Sequence, residues 1–262
     1  MIKAISKIAI ALTVFVFSAI SLQAGGVSAY YSAAYQDAGT VKSSLSKAGF
    51  TILNTYSPAG KGKLKVITYT NPKLISMASK PKRGFAAVQK VLVDSKAKKV
   101  LATNPTYWLK AFLQKNFKGG DTAITASLTK ALGKLKPTAD TLSSGKLSGY
   151  HFMLGMPYYE DMIELKSGAK GVKNALYSVK LANGSTLYGV KMPKSTEGFI
   201  SKIGEDKALV LPYTILIEGG KAYALHAKYY LAIAYPKLTM GEFMKISSVP
   251  DAIEKKLKKS VK

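Results

Sequence analysis

The chain contains no cysteine. Disulfides, a thiolate nucleophile, Cys-ligated zinc or iron–sulfur centres and a lipid-modified cysteine are thereby excluded, so stability must come from packing. Histidine is scarce, with only His151 and His226, and glutamate is absent before Glu160. The motifs G-x-S-x-G, H-E-x-x-H, the P-loop and G-x-G-x-x-G do not occur, which removes the commonest hydrolase, metalloprotease and nucleotide-binding signatures. S-x-x-K does occur at Ser44 to Lys47, Ser127 to Lys130 and Ser143 to Lys146, with Lys166-Ser167-Gly168 downstream. A chain rich in Ser and Lys produces such matches by chance. Their spacing is too compressed for a penicillin-recognising fold, and no S-D-N element accompanies them. After residue 20 no apolar run approaches the roughly 20 residues needed to cross a bilayer.

The N-terminus carries Lys3 and Lys7, an apolar run from Ile8 to Ile20, and small or polar residues from Ser21 to Gly26. This is the pattern of a secretory signal peptide, and its apolar part is too short to serve as an anchor. Cleavage is expected after Ala24, with Ala29 the other site that suits a small-residue pocket. The expected product is a soluble periplasmic or secreted protein without a transmembrane segment.

Bases outnumber acids, 39 Lys and Arg against 14 Asp and Glu, for a net charge of +25. The excess is uneven. Gly25 to Lys146 holds 20 bases and 4 Asp, whereas Leu147 to Lys262 holds 17 bases and 10 acids. Such a field attracts anions through long-range, salt-sensitive forces. For an exported chain the fitting partners are an anionic small molecule, a lipid head group or an acidic glycan rather than nucleic acid. A solvated lysine surface that merely maintains solubility is the plainer alternative.

Local signals divide the chain in two. In residues 25–132 a strand over 29–35 precedes a helix over 40–48 closed by Gly49; 50–56 and 64–70 read as a hairpin; Asn71-Pro72 starts a helix. A second hairpin covers 85–93 and 99–102. Asn104-Pro105 launches a helix over 106–117, and Asp121 opens another that runs to Leu132. Residues 133–148, rich in Gly, Pro, Ser and Thr, read as a linker. In residues 149–262 strands over 175–181 and 186–192 flank Asn183-Gly184, a strong hairpin signal. A helix over 195–203, a hairpin of 208–218 with 221–235, and a capping-box helix from Thr239 follow. The two halves share an order of elements, which predicts a tandem duplication of an α+β unit, each module an antiparallel sheet with helices on one face.

Gly49-Phe50 after a short helix, the Asn71-Pro72 helix start, and Leu211-Pro212-Tyr213-Thr214-Ile215-Leu216-Ile217-Glu218 resemble the domain of unknown function DUF302. The resemblance covers most of residues 30–118 and, more weakly, 175–250. It implies a compact α+β fold with an antiparallel sheet and no established chemistry. Tyr213 stands where that family has Cys, so a thiol role at this position cannot apply.

Three constellations could carry chemistry. His151 with Met153 and Met156 offers imidazole and thioethers suited to copper, although methionines also fill irregular cores. Glu160, Asp161 and Glu164 could hold a hard cation or perform acid–base work, or could be surface acids paired with lysines. His226, Lys228 and Tyr230, read as one face of a strand, could hold an anion among the surrounding tyrosines. Tyr150 and Tyr158 flank the His151 segment and join it as candidate ligand-binding residues. The expectation is a non-enzymatic binding protein for an anionic or amphipathic envelope ligand, without a cofactor. The alternatives are copper binding through His151 and a carboxylate enzyme using Glu160 or Asp161.

Overall fold

The structure, a computed structural model, describes residues 26–262. The expected signal peptide, residues 1–24, lies outside them. Caps and turns start most elements. β1 (Val27–Ser28) and β2 (Tyr30–Ala33) lead to α1 (Ala38–Lys47), where the Asp37 carboxylate accepts the amides of Gly39 and Thr40. Gly49, at φ +90°, lets the chain turn back into β3 (Thr51–Tyr56), which pairs with β4 (Leu64–Thr70). Asn71 caps α2 (Pro72–Ala78), its Oδ1 accepting from Leu74 N at 2.8 Å. Pro72 fits the first turn because an amide there has no helical partner. β5 (Gln89–Asp94), β6 (Lys99–Thr103), α3 (Pro105–Leu113) capped by Asn104, and α4 (Asp121–Leu132) follow.

The stretch expected as a linker is tied down. It forms β7 (Lys136–Pro137) on β2, β8 (Thr141–Leu142) on β1, and α5 (Ser144–Leu147). Ala29 N donates to Asp140 O, and Thr138 N to Tyr30 O. Strands of two residues leave no periodicity in a sequence, so backbone pairing alone reveals them.

The second half comprises β9 (Ile163–Ser167), β10 (Tyr177–Lys180), β11 (Thr186–Val190), α6 (Lys194–Glu197) and α7 (Ile200–Ile203). β12 (Tyr213–Glu218), β13 (Lys221–Ala224), α8 (Ala227–Ala234), α9 (Met240–Lys245) and α10 (Val249–Ser260) complete it. The capping box at α9 is present: Glu242 N donates to Thr239 Oγ1 and Thr239 N to Glu242 Oε2.

Four differences from the sequence reading have physical causes. Residues 221–235 are not one strand, because the chain leaves the sheet after Ala224 and α8 begins. Seven of the eight α8 residues are buried, and a helix apolar all round shows none of the periodicity that would mark it. The helix expected over 195–203 is two short ones. The leading parts of the strands expected at 85 and 208 are 3₁₀ turns, Gly84–Ala87 and Glu205–Val210. α10 is additional; it buries Val249, Ile253 and Leu257 along one stripe and leaves Lys255, Lys258 and Lys259 exposed.

The fold is α+β, with antiparallel sheets and helices. A two-stranded pair, β1-β8, accompanies a six-stranded sheet ordered β3-β4-β5-β6-β2-β7 and a five-stranded sheet ordered β10-β11-β12-β13-β9. The first five strands of the larger sheet and the five of the smaller therefore occupy corresponding places in chain order. The halves nevertheless share one continuous hydrophobic core. β4 and β5 are buried on both faces, with α1 against the β3–β4 side and the second half against the other. Among the described residues no helix is long and apolar enough to cross a membrane.

Candidate functional site

The second half meets the first sheet across a buried polar row. Asn54, Thr68 and Lys90 are cross-strand partners in β3, β4 and β5, so their side chains share a face. Asn54 Nδ2 donates to Leu176 O at 3.3 Å. Lys90, only 4% exposed, donates from Nζ to Val210 O at 3.0 Å, Pro212 O at 2.9 Å and Tyr230 Oη at 3.2 Å. All three ammonium protons are thus used between halves. Burial pushes the amine down to about 7.

Beside Lys90 lies a cavity of about 20 Å³, room for roughly one water. Eight of its eleven lining residues fall in corresponding pairs from the two halves: Phe85 with Leu209, Lys90 with Thr214, Thr103 with Leu225, Trp108 with Tyr230. The helices α3 and α8 are joined with the same reciprocity. Tyr107 is the third residue of α3 and donates to Ile233 O at 2.6 Å; Tyr229 is the third of α8 and donates to Ala111 O at 3.3 Å. Those carbonyls lie in the last turns, where no intrahelical amide remains to pair with them. At α8 Tyr235 N, Tyr150 Oη, Tyr107 Oη and Tyr30 Oη serve Leu231, Ala232, Ile233 and Ala234 in turn. Burial holds Tyr30, Tyr107 and Tyr229 well above the ordinary phenol range, so they stay protonated donors.

The candidate residues read from the sequence are dispersed. His226 is not on a strand face with Lys228 and Tyr230; it is the N-cap of α8. Its Nδ1 accepts Lys228 N at 3.2 Å, the role that Asn104 plays for Thr106 N at the start of α3. Burial, and next the charge of Lys228, pulls its pKa below the usual value and favours the neutral ring that capping requires. Tyr230 is buried against Trp108, Phe112 and Tyr213, and Tyr150 is buried while capping α8.

Residues 149–162 form neither strand nor helix. His151 packs on the exposed Tyr158 ring with centroids 4.4 Å apart, Met153 is exposed and Met156 half-buried. Glu160 receives a two-point bond from the buried Arg83, with Nη2 to Oε1 at 2.5 Å and Nη1 to Oε2 at 3.3 Å. Arg83 also lies over the Tyr159 ring at 4.9 Å. Asp161 Oδ2 accepts Tyr158 N at 2.8 Å, and Glu164 pairs with Lys221 at 3.0 Å. Each acid is committed to its own neighbour, and no group of three or more His, Asp or Glu that could hold a metal ion exists among the described residues.

A different feature answers to the charge excess. A groove of about 370 Å³ is lined by Lys173, Lys191, Lys256 and Lys259, with Asn174 and Ser260, and by no acid. α10 supplies the half-buried Lys256 and the exposed Lys259, while the Val172 to Val261 bridge and the Lys173 N to Ser260 O bond hold the walls together. None of the four lysines is in an ion pair among the described residues. Only the pairing of residues distant in sequence assembles them; the 255–259 lysine cluster was the sole local hint. No family model, curated protein or solved structure matches this chain.

Proposed function

We propose that this is an exported, non-catalytic binding protein, derived from two DUF302-like units, that holds an anionic ligand in the lysine groove. The carrying observation is the convergence of Lys173, Lys191, Lys256 and Lys259 without a carboxylate among them. Four lysines lining one space without a carboxylate give it a positive field, which an anion would neutralise while gaining charge-assisted hydrogen bonds. The corresponding strand order of the two sheets supports the duplication. The separate commitments of Glu160, Asp161 and His226 support a non-catalytic role.

The test is calorimetric titration with glycerol phosphate, tripolyphosphate and a sulfated oligosaccharide at two salt concentrations. Binding of at least one probe is expected, weaker at high salt, and reduced about tenfold or more by Lys256→Glu with Lys259→Glu. The equally charge-reversing pair Lys118→Glu with Lys134→Glu, outside the groove, should change it little. Equal effects of the two pairs would leave only a diffuse field and remove the groove as the site.

A further inference from the structure

All five exposed large apolar side chains among the described residues, Met153, Leu154, Tyr158, Met240 and Met244, lie on two segments. One is the loop 152–158 and the other is α9. Phe152 stacks on Phe243 with ring centroids 6.3 Å apart, which joins the segments into one patch. The loop is built to present its tip: Met156 N donates to Met153 O at 3.0 Å, closing a turn whose third residue, Gly155, has φ +80°. Leu154 sits at the corner and is 97% exposed. No other described residue leaves a large apolar side chain exposed, so this concentration is not the ordinary background of a protein surface.

We propose that this patch docks the protein onto an anionic bilayer, the Leu154 turn and the Met240/Met244 side of α9 entering the headgroup region. Charge decides the occupant. Lys202, Lys237 and Lys245 flank α9, Lys202 Nζ reaching Lys245 O at 3.4 Å, and none is in an ion pair among the described residues. Of the neighbouring acids, Glu160 is balanced by Arg83, while Glu242 in the capping box and Asp161 on Tyr158 N keep their charge, so the three lysines leave a positive balance. An apolar surface with lysines beside it is the arrangement by which a peripheral protein adds insertion to attraction by anionic lipid. This surface is independent of the lysine groove.

The experiment is vesicle co-sedimentation with the full chain and with Leu154→Asp/Met244→Asp, so that residues 1–25 contribute equally to both. Vesicles are phosphatidylglycerol with phosphatidylcholine, or phosphatidylcholine alone. Wild type should partition to the anionic vesicles, and the double variant at least about tenfold less, with circular dichroism unchanged because both sites are exposed. Retained tripolyphosphate binding in the variant would show the patch to be separate from the groove. Equal partitioning of wild type and variant, no preference for anionic vesicles, or a loss confined to self-association in sedimentation velocity would each overturn the proposal.

Discussion

Trp108 and Tyr230, each the fourth residue of its helix, meet edge to face with centroids 6.0 Å apart and an interplanar angle of 78°. Residues in corresponding positions of the two halves thus touch one another, flanked by the reciprocal bonds of Tyr107 and Tyr229. The cavity beside Lys90 lies at this junction.

Removing either reciprocal hydroxyl leaves a buried carbonyl short of a donor. Tyr107→Phe and Tyr229→Phe should each destabilise by about 1–2 kcal/mol in urea unfolding. Tyr107→Phe should cost more, since its bond is shorter and Ala111 O keeps a second donor in Gln114 Nε2. A larger loss from Tyr229→Phe would contradict this account.

Lys90 and Glu197 should together give stability a minimum near neutral pH. Glu197 is buried, with Oε2 on Ala59 N at 2.5 Å and Oε1 on Met192 N at 3.2 Å, and burial raises its carboxyl to about 7. Between 4.5 and 7 the folded state keeps a proton that the unfolded chain has lost, so stability falls as pH rises. Between 7 and 10.5 the unfolded chain keeps the Lys90 proton that the fold has released, so stability rises, by up to about 4 kcal/mol over that range. His226, pulled down from 6.5, opposes the acid arm, which is best read in a His226→Asn background. Lys90→Met should flatten the alkaline arm between pH 7 and 9.5, and a slope unchanged by that substitution would refute the assignment.

Glu160 is the partner of a buried cation, Arg83. Glu160→Gln should cost about 1–3 kcal/mol by weakening the hold on Arg83, with no change in anion affinity. Loss of affinity without loss of stability would restore Glu160 to a ligand role.

As a cap, His226 is replaceable. His226→Ala should cost about 0.5–2 kcal/mol and His226→Asn should recover most of it. Failure of Asn to rescue, alongside weakened anion binding, would point to an imidazole contact with ligand.

The legible parts of the fold were those whose signal is local. Asn71-Pro72, Asn104-Pro105, Thr239 with Glu242, and Asn183-Gly184 each announce a helix start or a turn within a few residues, because a cap or a positive φ is satisfied within a few residues. The candidate sites were less legible. The types His, Lys, Tyr and Glu were visible, but whether His226 stood on a strand or at a helix start depended on the burial of α8 on every side.

By itself the sequence determined the reliance on packing without disulfides, the basic excess, the α+β class and most hairpins and caps. All of these follow from composition or from interactions a few residues long. Only the tertiary structure decided that the halves share a core, that Lys90 is buried in it, that Lys173, Lys191 and the α10 pair Lys256 and Lys259 line one groove, and that Met153, Leu154 and Met244 gather on one surface. Those outcomes rest on contacts between residues up to 204 positions apart, such as Tyr30 with Ala234. Local preference carries no record of them, because burial of the combined apolar faces selects the pairing.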